Sequence, residues 1–418
     1  MKNKRIPDIR FPGFPGDWEQ HKLGDVTSLI TKGTTPKDKS WIGPVNYIKT
    51  ESIDPLSGNI TIKANTSLEE HEGYLKRSKL KENDILFSIV GTLGRVGIVE
   101  SKDLPANTNQ QIAIIRLKDS NANFILNALK TNNIQSFIKS DSTIGAQPSL
   151  SLWQINDLQI SVPISEEQKK IGTFFSQLDN LITLHQQELT TLKQTKQGFL
   201  QKMFPKEGES MPEVRFPGFT GEWEERKFFD NIKNTIDFRG RTPKKLGLEW
   251  SESGYLALSA LNVKNGYIDP SADAHYGNEE LYQKWMGGRE LKQGQVLFTT
   301  EAPMGNVAQV PDNKGYILSQ RTIAFDVHEN KITNDFLRVL LCSPRVFNEL
   351  SSLSSGGTAK GVSQKSLSQL KVEVPKSLKE QIQIGNFFKQ LDDTIALHQR
   401  ELDALKEMKK AFLQKMFA

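Results

Sequence analysis

Residues 167–204 have the sequence EQKKIGTFFSQLDNLITLHQQELTTLKQTKQGFLQKMF, and residues 380–417 repeat it as EQIQIGNFFKQLDDTIALHQRELDALKEMKKAFLQKMF. The two segments are identical at 24 of 38 positions, so the chain contains an internal duplication. Apolar residues recur in both copies at alternating spacings of four and three, from Ile171 to Met203 and from Ile384 to Met416. This pattern, which no proline interrupts, predicts two long coiled-coil helices.

Both predicted helices have start signals. Ser165 with Gln168, and Ser377 with Glu380, fit a capping box, in which two side chains satisfy the first free backbone N–H groups. At about 1.5 Å per residue, the apolar stripe of the first copy extends over roughly 50 Å.

The order of segments along the chain predicts their arrangement. The first helix leads away from the module that precedes it, and the second helix leads back. We therefore expect two long antiparallel helices with a module at each end, related by a pseudo-twofold axis. The predicted segments are a first module at 1–164, a helix at 165–204, a linker with the second module at 205–376, and a helix at 377–418.

The composition is that of an ordinary globular protein, with 37% hydrophobic and 25% charged residues in 418. The single cysteine, Cys342, excludes an internal disulfide and a multi-thiolate metal site. No apolar run approaches the roughly 18 residues of a membrane span, and the N-terminus lacks the apolar core of a secretion signal. We expect a cytoplasmic protein with no membrane partner.

A second repeated feature opens each module: PDIRFPGFPGDWE at 7–19 and PEVRFPGFTGEWE at 212–224. The proline and glycine residues exclude a helix, and the aromatic residues predict an anchor packed on the module.

Inside the modules the similarity is reduced to short stretches, which predict strands at 80–87 with 291–298 and at 158–163 with 370–375. Helices are predicted at Phe124–Lys139 and Phe336–Leu350. The fold class is therefore α+β, with two mixed modules. A duplicated framework with divergent contents indicates two receptors of one design that bind different targets.

The net charge of +5 is small for this length, but two loops concentrate positive charge. Residues 22–49 contain five lysines and two aspartates, and residues 233–249 contain five basic and two acidic residues. Such loops are often only solvated surface, but they are also what a phosphate-contacting face requires.

The order of module, helix ending in FLQKMF, RFPGF opener, second module and second helix resembles the specificity subunit of type I restriction-modification enzymes. The resemblance covers the whole chain. It implies two target recognition domains, each reading one half of a bipartite, asymmetric site on double-stranded DNA. It also implies that the paired helices act as a spacer and dock two methyltransferase subunits, through which restriction-translocase subunits join. The chain itself is then non-catalytic, and S-adenosylmethionine, ATP and Mg²⁺ belong to its partners.

The candidate DNA-binding residues are polar or basic side chains in the unmatched loops, since such side chains contact phosphates or form paired hydrogen bonds with base edges. In the first module they are Lys32, Thr34, Lys37, Lys49, Arg95, Gln110 and Gln111. In the second module they are Arg239, Arg241, Lys244, Lys245, Asn262, Gln320 and Arg321.

Two further sets lie on the predicted helices. Polar residues on the apolar seam generally fix the register of a helix pair, with His185 expected near Leu402 and Leu189 near His398. This register set is His185, Lys196, His398 and Lys409. Apolar residues off the seam predict coverage by partner helices, with packing on the chain's own modules as the alternative. This docking set is Phe174, Leu181, Leu184, Leu200, Phe387, Leu397 and Leu413.

No catalytic or metal-binding constellation is predicted. The glycines of GTLGRVG at 91–97 lack the Lys-Ser/Thr of a phosphate-binding loop and predict a turn between strands. Asp84, Glu100 and Lys102 have a spacing found in metal-dependent nucleases, but the second module lacks these residues. Two other functions remain open: a coiled-coil scaffold that binds protein partners, and a single-chain nuclease.

Overall fold

The computed structural model describes residues 6–143, 148–354 and 361–417. The chain divides into two compact units. The first comprises residues up to Gln187 together with those from Arg400 onward, and the second is Glu188–Gln399. Each unit therefore contains one module and a part of both long helices.

The module of the first unit is a mixed α/β structure. Its strands are β1 (Glu19–Lys22), β2 (Thr27–Lys32), β3 (Val45–Ile48), β4 (Asn65–Thr66), β5 (Ile85–Ser88), β6 (Val96–Ile98), β7 (Ala106–Thr108), β8 (Ile112–Leu117) and β9 (Gln159–Val162). Its helices are α1 (Leu68–Glu72), α2 (Ala122–Ala128), α3 (Asn132–Asp141) and α4 (Leu152–Asn156). The strands form an antiparallel sheet β2-β8-β5-β6, a sheet β4-β3-β7 with β3 and β7 parallel, and an antiparallel pair β1-β9.

The first long helix, α5, is Ser165–Lys202, and the second module follows it. The strands of this module are β10 (Glu224–Lys227), β11 (Ile232–Asp237), β12 (Tyr255–Leu258), β13 (Val263–Lys264), β14 (Tyr267–Ile268), β15 (Tyr276–Gly277), β16 (Val296–Thr299), β17 (Val307–Gln309), β18 (Ile317–Leu318), β19 (Thr322–Val327) and β20 (Lys371–Val374). Its helices are α6 (Glu279–Met286), α7 (Asn334–Cys342), α8 (Pro344–Leu353) and α9 (Gln364–Leu367), and α10 (Leu378–Lys415) closes the chain.

The second module repeats the topology of the first. Its sheets are β11-β19-β16-β17, β15-β12-β18 and β10-β20, with β12 and β18 parallel. The hairpin β13-β14 corresponds to a single antiparallel bridge between Ile53 and Ile60 in the first module. The duplication seen in the helices and openers therefore extends to module interiors whose sequences have diverged.

The two long helices are antiparallel within each unit, as predicted. In the first unit, the rings of Phe174 on α5 and Phe412 on α10 have centroids 5.0 Å apart. In the second unit, Phe199 on α5 and Phe387 on α10 form the equivalent contact, also at 5.0 Å. Both contacts are edge-to-face, a favourable geometry for aromatic rings.

Each FLQKMF segment ends inside a module core. The ring of Phe204, after the end of α5, packs against Trp223 and Phe336 in the second unit. The ring of Phe417, after the end of α10, packs against Trp18 and Phe124 in the first unit. Burial of these aromatic side chains explains why the segment is repeated so closely.

The openers are anchored by buried ion pairs with the long helices. Arg10 donates two hydrogen bonds to Glu167, at 2.6 and 2.7 Å, and Arg215 donates two to Glu380, at 2.6 and 2.8 Å. Both glutamates are at most 1% exposed. Glu380, at the start of α10, is therefore tied to the opener by this ion pair.

Gln168 is likewise used outside its helix start. Its side-chain oxygen accepts from the Asn121 N–H at 3.0 Å, and its amide donates to the Pro163 carbonyl at 2.8 Å. This side chain therefore ties the start of α5 to the segment that leads into α2.

Two predicted strands and the two predicted module helices differ from the structure in extent. The strands predicted at 80–87 and 291–298 begin only at Ile85 and Val296. The residues before them form turns, in which the side chains of Asp84 and Gln295 accept from the N–H groups of Lys81 and Lys292. Each predicted module helix is divided into two, α2 with α3 and α7 with α8. No helix in the described ranges has the length and apolarity needed to cross a bilayer.

Candidate nucleic-acid interface

Several candidate residues of the first module meet at one end of its sheets. The Gly33 N–H donates to the Ile112 carbonyl at 3.1 Å, so the loop after β2 lies against the turn before β8. A Cβ atom on Gly33 would lie 2.1 Å from the Asn109 carbonyl oxygen, so this approach requires glycine. It brings Lys32 to the same edge as Gln110 and Gln111, and all three side chains are exposed.

Lys49 joins this edge from β3. The Thr108 hydroxyl donates to the Ile48 carbonyl at 2.8 Å, which holds the end of β3 beside the end of β7. The Lys49 ammonium lies 3.4 Å from the centroid of the Trp41 ring, a cation–π contact that orients the charge without neutralising it. Lys37 is exposed in the loop after β2, and its ammonium lies 4.9 Å from the centroid of the Tyr74 ring.

Two candidates of the first module have structural roles instead. Thr34 is only 7% exposed, and its hydroxyl accepts from Arg77 Nε at 3.0 Å. Arg95 uses Nη1 to donate to the carbonyls of Thr50 and Ile53, at 3.1 and 3.3 Å. The expectation that Thr34 reads DNA is therefore wrong, since its side chain faces the module. Arg95 holds the loop after Lys49 in place.

The second module brings its candidates to the corresponding end. The Thr300 N–H donates to the Arg321 carbonyl at 2.8 Å, just as the Ile89 N–H donates to the Gln111 carbonyl at 2.8 Å. The pair Gln320 and Arg321 thus occupies the turn that Gln110 and Gln111 occupy in the first module. The Gln320 side chain also donates to the Arg241 carbonyl at 2.5 Å, which joins this turn to the loop after β11.

The arginines of this end differ in their charge partners. Arg239 lies 2.6 Å from Asp237, and Arg321 lies 3.2 Å from Glu301. Burial raises the pKa of Asp237, but hydrogen bonds from Arg239 and Gln364 outweigh it, so the pKa is lowered overall. The arginines with carboxylate partners are therefore partly neutralised before any ligand binds.

Lys244 and Lys245 are exposed in a short turn of the same loop. The Lys245 ammonium donates to the Gly240 carbonyl at 2.6 Å, which curls the loop on itself. Neither ammonium lies within 4.0 Å of a carboxylate among the described residues, so both lysines present uncompensated charge.

Asn262 does not reach the surface. It is completely buried, its side-chain oxygen accepts from the Ser259 N–H at 2.8 Å, and its amide donates to the Ala257 carbonyl at 2.7 Å. The prediction that Asn262 contacts DNA is wrong because its hydrogen-bonding groups hold a turn after β12. Ser52 accepts from the Lys49 N–H in the equivalent turn of the first module.

Sequence reasoning missed two exposed arginines, Arg77 and Arg289. Each follows a short helix, α1 or α6, and reaches the loop after the second strand of its module. Arg77 donates to the Thr34 hydroxyl, and Arg289 packs on the Phe238 ring. No local signal identifies them, because their partners lie about 40 to 50 residues away along the chain.

The register set forms contacts between the long helices. Lys409 lies 2.5 Å from Asp179 in the first unit, and Lys196 lies 2.5 Å from Asp392 in the second. The Asp392 carboxylate also accepts from Arg338 at 2.6 Å.

The two histidines of the set are partly exposed at the helix contact. His185 lies 3.7 Å from Glu401, and His398 lies 3.5 Å from Glu188. Glu401 precedes Leu402, the predicted neighbour of His185, and Glu188 precedes Leu189, the predicted neighbour of His398. Each histidine is therefore paired with the residue directly before its predicted neighbour.

The docking set separates into two groups. Three side chains are exposed: Leu181 at 41%, Leu184 at 51% and Leu397 at 47%. The other four, which pack on the aromatic and apolar cores of their own units, are Phe174, Leu200, Phe387 and Leu413. Those four side chains pack partly on the chain's own modules, and coverage by partner helices stays a prediction for the set.

The nuclease spacing corresponds to an internal ion pair. Asp84 is 1% exposed and accepts two hydrogen bonds from Arg116, at 2.8 and 2.6 Å, which raise the pKa of Arg116. Glu100 pairs with Lys102 at 2.5 Å. In the second module, Gln295 donates to Asp326 at 2.6 Å in the place of the Asp84–Arg116 pair. The Asp84–Arg116 pair and the Gln295–Asp326 pair each connect neighbouring strands of a sheet, so Asp84 has a structural role.

The glycine series joins β5 to β6, as predicted. Gly91 and Gly94 have φ angles of +76° and +73°, which suit glycine in a tight connection.

The sequence matches the family model of the type I restriction modification DNA specificity domain twice, at residues 15–194 and 222–407. Similar proteins include the putative type I restriction enzyme MjaX specificity subunit of Methanocaldococcus jannaschii, 25% identical over 425 residues that cover 99% of this chain and 95% of that protein. The MjaVIII specificity subunit of the same organism is 26% identical over 431 residues, with the same coverage of both chains.

Solved structures share the fold. The S subunit of a type I restriction-modification system from M. genitalium superposes with a TM-score of 0.67 at 15% identity, covering 99% of both chains. A chain from a structural study of assembly of a type I R-M system superposes with a TM-score of 0.51 at 16% identity, covering 96% of this chain and 97% of that one.

Proposed function

Because the chain belongs to the type I restriction-modification DNA specificity family, we propose that it is the non-catalytic subunit that selects the DNA target of such an enzyme. Each module reads one half of a bipartite, asymmetric site on double-stranded DNA. Two methyltransferase subunits dock on the chain, and restriction-translocase subunits join through them. S-adenosylmethionine, ATP and Mg²⁺ are bound by these partners.

The observation that carries this proposal is the shared end of each module. There, the loop after β2 or β11 meets the turn before β8 or β19 and presents exposed basic and amide side chains. In the first module they are Lys32, Gln110 and Gln111, and in the second they are Arg239 and Arg321, beside the half-buried Gln320. Basic side chains bind phosphates, and arginine and glutamine can form paired hydrogen bonds with guanine or adenine.

The divergence of the two modules supports an asymmetric target. The strands and their order are repeated, whereas the residues at the shared end are not. Lys32 aligns with Asp237 in the sheets, and Gln111 aligns with Arg321. Two frameworks of one topology with different polar groups would read different bases.

We further propose that α5 and α10 act as the spacer between half-sites and that the register set maintains their pairing. Each helix is continuous over 38 residues. Salt bridges between Lys and Asp connect the two helices in both units, and a change of register would separate these buried or half-buried charges.

Exchange of the second module for that of a relative tests the target-reading function. The hybrid is produced in cells with the partner subunits, and methylated adenines are mapped across the genome. We expect one half of the methylated motif to change while the other half is kept. A motif that is unchanged in both halves would contradict the proposal, because the module would then carry no base specificity.

A further inference from the structure

Two arginines of the second module pack on the same buried aromatic ring. Phe238, directly after β11, is 3% exposed. The guanidinium carbon of Arg241 lies 4.4 Å from the ring centroid, and that of Arg289 lies 4.5 Å from it. Both guanidinium groups therefore rest on the same apolar ring.

The backbone positions both side chains. The Arg241 N–H donates to the Phe238 carbonyl at 3.0 Å, closing a turn in which Gly240 has φ = +77°. Gly287 and Gly288, with φ angles of +56° and +77°, end α6 and redirect the chain. These left-handed conformations, which glycine adopts without strain, lead to Arg289. Both arginines are thus presented by turns whose geometry is set by neighbouring glycines.

The positive charge of this arginine pair is uncompensated. Within the part of the chain that the structure describes, no carboxylate oxygen lies within 4.0 Å of either guanidinium. Burial and the nearby Arg289 charge lower the pKa of Arg241. The Arg241 guanidinium donates to the Trp285 carbonyl, and the ring face offsets only part of the repulsion. Arg239 and Arg321, at the same end, do have carboxylate partners.

The first module has a comparable guanidinium. Arg77, which follows α1, is exposed and donates through Nε to Thr34 in the loop after β2. An arginine that follows the short helix and reaches this loop is therefore present in both modules, although the surrounding sequences have diverged.

We propose that Arg241 and Arg289 bind the phosphate backbone of DNA at the second module and contribute charge rather than base specificity. An anion relieves the repulsion between the two guanidinium groups, and a neutral base edge would leave most of it in place. The exposed Arg289 makes the more accessible contact, while the half-buried Arg241 is oriented by its turn. This inference rests on the proposed function, because it assigns these residues to the same DNA-binding end.

The test uses the full chain assembled with its methyltransferase subunits. Its probes are a short duplex carrying the methylated motif mapped for the unaltered chain and a duplex without that motif. Affinity is measured over a range of salt concentrations for the unaltered complex, for the single variant Arg289→Gln, and for the double variant that carries both Arg241→Gln and Arg289→Gln. Lys284→Gln is the matched control, since it removes one charge from exposed Lys284, which is paired with Glu280 on α6.

We expect Arg289→Gln to weaken binding to both duplexes by a similar factor. The slope of log affinity against log salt should become shallower by about 0.9 for each phosphate that the variant no longer binds. The methylated motif should stay unchanged, and Lys284→Gln should leave the slope as it was.

Two outcomes would overturn the inference. An unchanged slope for Arg289→Gln would show that this side chain does not contact phosphate. An altered motif in one half-site would show that the pair reads bases. If the unaltered complex bound the two duplexes with equal affinity, the proposed function itself would be refuted. Because Arg289 is exposed, its single variant gives a result even if Arg241→Gln lowers stability.

Discussion

The Lys409 ammonium lies 2.5 Å from the Asp179 carboxylate and joins α10 to α5 in the first unit. The Lys409 side chain is completely buried, and Asp179 is 6% exposed as a residue. The same ammonium donates to the Leu56 carbonyl at 2.6 Å, so the pair also ties both helices to the module.

We expect a strong energetic coupling in this buried pair. In a double-mutant cycle with Lys409→Met and Asp179→Asn, measured by chemical unfolding of the full chain, the coupling should exceed about 1 kcal/mol. The exposed pair Lys22–Asp157 is the matched control and should give a clearly smaller coupling. Equal coupling in both cycles would contradict a role for Lys409 in fixing the helix register.

The opener ion pairs should be essential for stability. Arg215→Leu should lower the free energy of unfolding by about 3 kcal/mol, because buried Glu380 then keeps, among the described residues, only the side-chain hydrogen bond from Trp223. Lys284→Ala, which breaks an exposed pair within α6, should cost about 0.5 kcal/mol or less. Thermal and urea unfolding measure both. A decrease for Arg215→Leu no larger than that of the control would refute the anchoring role.

Lys130 predicts a dependence of stability on pH. Burial, together with the Lys409 charge, lowers the Lys130 pKa to about 7, although the carboxylates of Asp179 and Asp54 oppose the shift. In the unfolded chain a lysine pKa is about 10.4. Between these values the unfolded state binds more protons, so this lysine makes the free energy of unfolding rise as pH rises from about 7 toward 10.

Lys130→Met should therefore reduce that rise. Urea unfolding across this pH range measures the effect, and Lys63→Met, at a lysine on the surface of the same module, should leave the rise intact. An unaltered pH profile for Lys130→Met would show that the ammonium is well solvated in the folded chain.

The exposed part of the docking set should mediate assembly. Leu184→Asp and Leu397→Asp should each reduce the amount of complex formed with methyltransferase subunits, because a charge replaces apolar surface that a partner helix covers. Mass photometry of the mixed subunits gives the fraction assembled. Leu68→Asp, at a 55% exposed leucine on α1, is the control. Full assembly of both helix variants would place the partner elsewhere.

Lys244 and Lys245 should contribute to DNA affinity through charge. Replacing both by glutamine should make the salt dependence of binding shallower, by about 0.9 in slope for each phosphate released from the interface. The control replaces Lys227 and Lys371 by glutamine. These lysines lie opposite each other on β10 and β20, so the control removes the same charge from another part of the module. Filter binding at several salt concentrations compares the two variants. Identical slopes in the variant and the unaltered complex would exclude this loop from the interface.

The sequence alone predicted the features that depend on neighbours along the chain. The stripe from Ile171 to Met203 predicts a helix because its apolar spacing matches the turn of an α-helix, and the helix is present as Ser165–Lys202. The duplication and the order of segments then predicted the antiparallel pairing and the two mixed modules. The loops at the shared end were also identified, since their glycines and basic residues are local signals.

The tertiary structure decided which of the loop residues are available to a ligand. Asn262 and Arg289 are both polar residues in loops of the second module, yet one is buried in a turn and the other is exposed on Phe238. Their difference arises from contacts with residues that are close in space, as the 51-residue separation of Phe238 and Arg289 shows. Periodicity and composition describe which surface a segment prefers to bury, whereas the partner of a charge is set only when the strands and loops have packed.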